Sequence, residues 1–226
     1  MKVTVVSQNK EKIKPSLKGS GFVIDDKNPE FVVSFGGDGT LMKAEELFPG
    51  LPKIILRDSA ICKKCSKLSN EIVLEKIKNG QYRIDEVTKL QAAANGENLS
   101  ALNDIVVHNA DPRHAIRYHV SINNALTHHE IIGDGIIAAT PFGATGYYRS
   151  ITHSYFDTGI GLAFNNSIEQ SDHMILSDNT KIELEIARGP AIVYADNQDK
   201  TITLETGAKI TIKKADHKAK IVMPLE

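Results

Sequence analysis

Short apolar runs separated by polar turns dominate the first third of the chain. Residues 2–7, 30–35 and 53–56 are rich in valine and isoleucine, and such runs are typical of buried parallel strands. Helices are predicted over 40–47 and 70–78, each ended by a glycine-containing turn. Strand, glycine turn, helix and strand in this order predict an α/β unit with a right-handed crossover.

The rest of the chain has a different pattern. From residue 81 onward, short segments dominate, and several of them alternate apolar and polar positions, a period of two that is typical of half-buried strands. The strands predicted here cover 99–108, 115–122, 125–132, 135–139, 181–187, 191–195, 201–205 and 209–213. The sequence therefore predicts an α/β N-terminal domain, residues 1–85, followed by a mostly β C-terminal domain, residues 86–226.

Composition and charge narrow the class of protein. The 27 Lys and Arg residues are balanced by 28 Asp and Glu residues, for a net charge of -1. A general nucleic-acid binder would be strongly basic, so this class is not expected. The apolar runs are shorter than the roughly 20 residues that span a bilayer, and the N-terminus lacks the features of a signal peptide. We expect a cytoplasmic protein with neither a nucleic-acid nor a membrane partner.

A glycine-rich turn containing one carboxylate follows the strand predicted over 30–35. Gly36, Gly37 and Gly39 allow positive φ angles and close approach to a ligand, and the N–H groups of a helix N-terminus can bind phosphate. The spacing matches neither a P-loop nor the dinucleotide-binding fingerprint. A phosphate would repel Asp38 unless a metal or a hydroxyl lay between them, which suggests a base or a metal-linked group. On this loop alone, the alternative is that Asp38 caps the helix.

A second informative segment, TPFGATGY at 140–147, follows the strand predicted over 135–139. Its backbone amides could approach a ligand, and Tyr147 could offer its flat face to a ring. A small-residue turn with a core tyrosine is the alternative. Between the two loops, Asn103 and Asp104 interrupt an apolar strand. Burying them costs free energy unless a ligand or a turn satisfies their hydrogen bonds.

The chain has two cysteines, Cys62 and Cys65. One CxxC pair is half of a typical zinc site, and a thioredoxin-like motif would begin a helix; we expect two reduced thiols in a loop. The histidines fit no familiar metal-ligand spacing, so no metal ligand is predicted. Four cationic side chains close to these cysteines in sequence could bind phosphates or form a solvated face. They are Arg57, Lys63, Lys64 and Lys67.

Taken together, these segments resemble the NAD kinase family. The resemblance rests on GGDGT at 36–40, the Asn-Asp pair at 103–104, DGII at 134–137 and TPFGATGYY at 140–148, in the family's order and spacing. Diacylglycerol and sphingosine kinases share a motif similar to GGDGT, whereas its combination with TPFGATGYY is specific. YADNQ at 194–198 is similar to an Asp-Gly-Gln turn of the family.

The resemblance implies roles for these residues. Asp38 would contact the 2′-hydroxyl of the adenosine ribose of NAD and act as general base. Gly36, Gly37, Gly39 and Thr40 would approach the phosphates; Asn103 and Asp104 would hold the adenine or ribose side; Asp134 would hydrogen-bond the nicotinamide end; and Thr145, Gly146 and Tyr147 would enclose an NAD ring. It also implies ATP with Mg²⁺ or another divalent cation, or polyphosphate as the donor, and a homo-oligomer, either a dimer or a tetramer.

Two segments depart from the family's pattern. LRDSAICKKC at 56–65 stands where the family has an Asn-x-Gly-x-Leu-Gly-Phe-like stretch, and SITHSYF at 150–156 stands where it has a Gly-Gly-Pro segment. An enzyme that phosphorylates NAD is the leading hypothesis. The alternatives are a non-catalytic dinucleotide sensor and a lipid kinase that shares only GGDGT.

Overall fold

The protein divides into two compact units. The computed structural model describes residues 1–169 and 173–225. One unit comprises residues 1–87 and 218–226, and the other comprises residues 88–217. The first is α/β and the second is mostly β, which confirms the predicted fold class. The predicted boundary near residue 85 left the chain's end in the second domain, whereas Ala219–Pro224 pair with strands of the first unit.

The N-terminal unit is built on one six-stranded sheet in the order β2-β1-β3-β4-β18-β5. Its strands are β1 Lys2–Val6, β2 Val23–Ile24, β3 Phe31–Gly36, β4 Lys53–Arg57, β5 Tyr82–Val87 and β18 Ala219–Pro224. Its helices are α1 Lys10–Gly19, α2 Asp38–Leu47 and α3 Asn70–Lys78. Strands β1 to β4 are mutually parallel, β18 is parallel to β4, and β5 is antiparallel to β18.

The valine- and isoleucine-rich runs form the central strands because both sheet faces are covered. In β3, Val32 to Phe35 are all buried, as expected for a parallel strand. Helix α3 begins as predicted, with the Ser69 side chain accepting a hydrogen bond from the Ile72 N–H at 3.4 Å. Helix α2 begins two residues earlier than predicted, at Asp38. The site loop 36–40 therefore lies at the carboxyl end of a buried strand.

A buried ion pair links α2 to β4. The Lys53 ammonium contacts the Glu45 carboxylate, and both side chains are almost fully buried. Lys53 also donates a hydrogen bond to the Phe48 carbonyl at 2.8 Å. Because each charge has lost its water, each depends on the other for its stabilisation.

In its described residues, 88–169 and 173–217, the second unit consists of two antiparallel six-stranded sheets and one short helix, α4 Tyr147–Thr152. The first sheet has the order β10-β9-β14-β17-β6-β7, with β6 Leu90–Ala94, β7 Glu97–Ala101, β9 Ile116–Ile122, β10 Ala125–Gly133, β14 Ile182–Arg188 and β17 Lys209–Lys214. The second sheet has the order β13-β12-β11-β8-β15-β16, with β8 Asp104–Asn109, β11 Gly135–Ala139, β12 Ile160–Asn165, β13 His173–Leu176, β15 Ala191–Ala195 and β16 Thr201–Leu204.

The two sheets pack face to face around the main core of the unit. Alternate residues of β8 and β11, such as Ile105 and Ile136, enter this core. The intervening residues, such as Val106 and Ile137, lie in a second cluster on the opposite face, with α4 and Phe156. The second sheet is therefore buried on both faces, which explains why all five residues of β11 are buried.

Most of the predicted strands are confirmed within a residue or two, but one prediction was wrong. The single strand predicted over 99–108 is two strands, β7 and β8, separated by a turn at Leu102 and Asn103. Across residues 1–169 and 173–225, no helix is both long and apolar enough to cross a membrane.

Candidate functional site

The GGDGT segment forms the connection from β3 to α2. Gly37 is the N-cap residue of α2, and Asp38 is the first helical residue. No side chain caps this helix end, so the capping role considered for Asp38 does not hold. The first N–H groups of α2 give this end a partial positive charge.

The glycines of this loop serve close packing. None of Gly36, Gly37 and Gly39 has a positive φ, so the expectation that they adopt such angles was wrong. A Cβ on Gly36 would lie 2.1 Å from the Thr40 hydroxyl oxygen, and one on Gly37 would lie 3.1 Å from the Ile61 carbonyl. A side chain at Gly36 would therefore displace Thr40 and distort the start of α2.

The Asp38 carboxylate contacts the loop that follows β4. It accepts hydrogen bonds from the backbone N–H groups of Lys63 at 3.2 Å and Lys64 at 3.0 Å. Burial lowers the pKa of the half-buried Lys64 ammonium, while the charge of Asp38 opposes that shift. Arg57 donates to the Cys62 carbonyl at 3.3 Å. The divergent 56–65 segment is thus in direct contact with Asp38.

Cys62 and Cys65 form a disulfide, so the expectation of two reduced thiols was wrong. Their Cα atoms are 5.5 Å apart, a separation that a disulfide can span. The Cys62 sulfur lies 3.4 Å from the Asp38 Oδ1 atom. Sequence spacing alone did not distinguish a metal half-site, a free dithiol and a closed bridge.

In the second unit, the Asn103-Asp104 turn is held by a third acidic residue, Asp196. The Asp196 carboxylate accepts backbone N–H groups from Leu102 at 2.7 Å, Asn103 at 2.7 Å and Asp104 at 3.2 Å. The Asp196 N–H in turn donates to the Asp104 carbonyl at 3.0 Å. This clamp is the reason that the predicted long strand breaks at residue 102.

Two carboxyl groups are buried together here. Burial raises the pKa of Asp104 to about 7, and the neighbouring charge of Asp196 adds to the shift. Burial also raises the pKa of Asp196, although its three backbone N–H donors oppose the change. Because Asp196 has these donors, it is the better site for the negative charge. Asp104 is therefore the group of the pair that holds a proton near neutral pH.

The Asn103 side chain lies beside the TPFGATGYY segment. Its Oδ1 atom is buried and has no hydrogen-bond partner within the described residues, which is costly unless a ligand or water supplies a donor. A Cβ on Gly146 would lie 3.9 Å from both the Asn103 Nδ2 atom and the Asp104 Oδ2 atom. The structure therefore brings Asn103, Asp104 and Gly146 together.

Close packing fixes the register of this segment. Gly143 has no room for a side chain, because a Cβ there would lie 2.2 Å from the Asn103 carbonyl oxygen. Thr140 anchors the segment on the same turn: its N–H donates to the Asn103 carbonyl at 2.8 Å and its hydroxyl to the Leu102 carbonyl at 2.7 Å.

Tyr147 lies over the outer face of the second sheet, among the residues of the second apolar cluster. Its hydroxyl is 3.5 Å from the Asn165 Nδ2 atom. Burial raises the pKa of Tyr194 to about 12, with smaller contributions from Tyr147 and Asp104. Thr145 is half-buried and Gly146 is exposed. The half-buried Tyr147 side chain therefore reaches Asn165, the residue that pairs with Gly135 at the Asp134 end of β11.

Asp134 lies at the other end of β11. Because Asp104 pairs with Ala139 and His108 pairs with Gly135, roughly 15 Å of strand separates the two aspartates. The Asp134 carboxylate accepts hydrogen bonds from the Asn109 amide at 3.1 Å and the Asn166 amide at 2.6 Å. Asp134 is thus not part of the Asn103–Asp104 cluster, but it lies at the far end of the same sheet.

The divergent 150–156 segment contributes to packing. Phe156 is buried and meets the Tyr148 ring edge-on, with centroids 5.0 Å apart. Gly161 makes room for both rings, since a Cβ there would lie 2.3 Å from Phe156 and 2.8 Å from Tyr148. The divergent segment therefore contributes the Phe156 side chain to the second apolar cluster.

Two features of the site were not among the predicted residues. Asp196 belongs to the YADNQ segment at 194–198. Its position in a turn directly after a strand was the sequence feature that could have indicated a site residue, and its φ in the structure is +50°. No sequence pattern indicated the contact between the 62–65 loop and Asp38, because 24 residues separate Cys62 from Asp38. Over the described ranges, no cluster of three or more His, Cys, Asp or Glu side chains could hold a metal ion.

Comparison with known proteins identifies the family. The family model for the ATP-NAD kinase C-terminal domain matches residues 102–223, more than half of the chain. This match contains the Asn103–Asp104 turn, Asp134, the 140–148 segment and Asp196, but it excludes the GGDGT loop. The NAD kinase of Saccharolobus solfataricus is 29% identical over 221 residues, which cover 94% of this chain and 86% of that protein.

Two solved structures share the fold. An NAD kinase from Archaeoglobus fulgidus, in complex with ATP, has a TM-score of 0.82 at 22% identity and covers 99% of this chain and 94% of its own. Yeast NADH kinase, complexed with NADH, has a TM-score of 0.86 at 15% identity, with coverage of 99% and 83%. The family match confirms the resemblance found in the sequence and the prediction of a kinase: the chain belongs to the NAD kinase family.

Proposed function

We propose that the protein transfers the terminal phosphoryl group of ATP to the 2′-hydroxyl of the adenosine ribose of NAD, producing NADP. One observation supports this most strongly. Inside the matched family region, the buried Asn103 Oδ1 atom has no hydrogen-bond donor among residues 1–169 and 173–225, and it lies beside the buried Asp104 carboxyl. Polar groups buried in this way are suited to a ligand that offers amino and hydroxyl groups.

NAD would be held by the second unit. Asn103 and Asp104 would bind the adenine or ribose side, where a neutral Asp104 carboxyl can both donate and accept a hydrogen bond. Thr145, Gly146 and Tyr147 would enclose a ring of the dinucleotide, and Asp134 would bind the nicotinamide end. The roughly 15 Å of strand between Asp104 and Asp134 suits an extended ligand with polar groups at both ends.

The donor phosphates would be bound in the N-terminal unit. Gly36, Gly37, Gly39 and Thr40 form the start of α2, where backbone N–H groups and the helix dipole favour negative charge. The absence of a side-chain cap at this helix end supports the assignment.

Asp38 would act as the general base. Its carboxylate would accept the proton of the ribose 2′-hydroxyl as that oxygen bonds to the terminal phosphorus of ATP. The bond from that phosphorus to the bridging oxygen would break, and ADP would leave with the bond electrons. Base catalysis of this kind contributes roughly 10²–10⁴-fold, and positioning of the two substrates supplies much of the remainder.

A divalent cation would arrive with the nucleotide. Within the described chain there is no cluster of acidic or histidine ligands for a resident metal, whereas Mg²⁺ is commonly bound by one carboxylate together with substrate phosphates. Mg²⁺ held on the donor phosphates would offset their repulsion of Asp38, whose carboxylate stays available for the ribose proton. Bound Mg²⁺ would neutralise charge on the transferring phosphoryl group.

The activity can be tested directly. The purified protein, kept in a dithiol buffer, is incubated with MgATP and NAD, and NADP and ADP are quantified together. We expect equal amounts of the two products. NAD that lacks the 2′-hydroxyl should yield neither, and ADP release without NADP would contradict the proposal. Replacing ATP with polyphosphate, and NAD with NADH, determines the donor and the acceptor.

One observation favours a second candidate, a non-catalytic dinucleotide sensor. The Asp38 carboxylate already accepts hydrogen bonds from two backbone N–H groups, and these donors compete with the ribose hydroxyl for its lone pairs. A sensor would bind NAD with unchanged affinity and form no NADP with any donor. The same assay, combined with calorimetric titration of NAD, separates the two functions.

A further inference from the structure

We propose that the Cys62–Cys65 disulfide is a redox switch on Asp38: the closed bridge holds the carboxylate, and reduction by a dithiol releases it. The effect on turnover rests on the proposed function, because it needs Asp38 to be the base. The effect on the loop does not depend on that function.

The disulfide encloses the groups that bind Asp38. Lys63 and Lys64 are the two residues within the four-residue ring, and their N–H groups donate to Asp38 at 3.2 and 3.0 Å. Closing a ring of this size removes most of the backbone freedom of its residues. The bridge therefore keeps both donors directed at the same carboxylate.

Both cysteines also contact the Asp38 loop itself. The Cys62 sulfur lies 3.4 Å from Asp38 Oδ1, and the Cys65 sulfur lies 3.9 Å from the Gly36 carbonyl oxygen. While oxidised, neither sulfur carries a hydrogen, so these contacts are not hydrogen bonds. Reduction adds a hydrogen to each sulfur, and the Cys62 thiol becomes a weak donor beside Asp38.

The solvent exposure of the two cysteines determines which sulfur the reductant attacks first in thiol–disulfide exchange. Cys62 is 9% exposed, whereas Cys65 is half-buried. A thiolate of the reductant would attack the Cys65 sulfur, and the Cys62 sulfur would leave and take up a proton. The second thiol of the reductant would then displace Cys65. The reductant becomes a cyclic disulfide, and two electrons and two protons pass to the protein.

Reduction would open the loop, so that the two charge-assisted hydrogen bonds from the Lys63 and Lys64 N–H groups to Asp38 can break. In the oxidised protein the carboxylate is committed to Lys63 and Lys64; in the reduced protein the ribose hydroxyl can replace them. Two such hydrogen bonds are strong enough to change turnover by roughly tenfold. We therefore expect higher kcat in the reduced protein.

The test equilibrates the whole protein with defined ratios of reduced and oxidised dithiothreitol. Free thiols are counted by maleimide mass shift, NADP formation gives kcat, and amide hydrogen exchange follows residues 62–65. We expect kcat to rise roughly tenfold in step with the two thiols, and the exchange protection of Lys63 and Lys64 to fall. The double variant C62S/C65S, which keeps a donor at both positions and cannot form the bridge, should have the reduced-state kcat and exchange at every ratio.

Three results would overturn the switch. The thiols could remain absent at the most reducing ratio, kcat could stay constant while they form, or the protection could be unchanged by reduction. Should neither form make NADP, the proposed function fails, and the exchange data alone decide whether the bridge controls the loop.

Discussion

Asp196 holds Asp104 from both sides of one peptide turn: its carboxylate accepts the Asp104 N–H at 3.2 Å, and its own N–H donates to the Asp104 carbonyl at 3.0 Å. The two carboxyl groups also lie close enough for the charge of Asp196 to disfavour ionisation of Asp104. Burial raises the pKa of Asp104, and the charge of Asp196, the residue that holds its turn, adds to that shift.

The first prediction concerns stability against pH. Asp104 has a folded-state pKa of about 7 against an ordinary value of 3.8. The folded protein therefore binds the proton more tightly, and its stability falls as pH rises from about 4 to about 7. Asp104→Asn removes this loss. At pH 8 the variant should exceed the wild type by about 2–4 kcal/mol in urea unfolding. At pH 4 the two should be equal within error, and a constant difference between the two pH values would contradict the assignment.

Removing the clamp should affect substrate binding more than chemistry. Asp196→Ala leaves three buried backbone N–H groups without their acceptor, and we expect a stability loss of about 3 kcal/mol. Because the Asn103–Asp104 turn loosens, KM for NAD should rise at least several-fold while kcat changes less. Asp216→Ala, an exposed aspartate of the same unit, is the matched control. Equal losses in kcat and unchanged KM would argue against a positioning role.

Gly143 should tolerate no side chain. Gly143→Ala would place a methyl group 2.2 Å from the Asn103 carbonyl oxygen, and the resulting backbone shift should cost about 1–3 kcal/mol and weaken NAD binding. Gly19→Ala adds the same methyl group where nothing lies within 4 Å. Thermal unfolding and NAD titration of both variants provide the comparison. If Gly143→Ala behaves like Gly19→Ala, the close packing of the segment on Asn103 is wrong.

The buried ion pair of the N-terminal unit makes a further prediction. Lys53→Met leaves the Glu45 carboxylate buried without its partner and should destabilise the protein by about 3–5 kcal/mol. The double variant K53M/E45L should recover most of this loss. Lys209→Ala removes one partner of the exposed Lys209–Glu185 pair and should change little. Chemical denaturation of the three variants tests the argument, and no recovery in the double variant would count against it.

The sequence predicted the fold class and most strands because apolar periodicity follows burial directly. Periodicity carries no information about hydrogen-bond partners distant in the chain, so Asp196, over 90 residues from the turn it holds, was not recognised as a site residue. The same limit applies to the 62–65 loop on Asp38. The glycines at 36 and 37 were correctly placed in the loop, but sequence could not distinguish positive φ from close packing as their cause.

The family resemblance pointed to Asn103, Asp104 and Gly146, which the structure brings together; their role in binding NAD stays a prediction. It could not predict what replaces missing motifs. The edge-on contact between Tyr148 and Phe156 depends on side-chain packing against the sheet, which no motif encodes.

The most direct test of the account is the turnover of Asp38→Asn in the reduced state, measured beside the affinity for NAD. Asparagine keeps the shape of the side chain and cannot take the ribose proton. NADP formation should therefore fall by roughly 10²–10⁴-fold, while the dissociation constant for NAD stays within a few-fold of the wild-type value. Near-normal NADP formation by Asp38→Asn would contradict the assignment of Asp38 as the base.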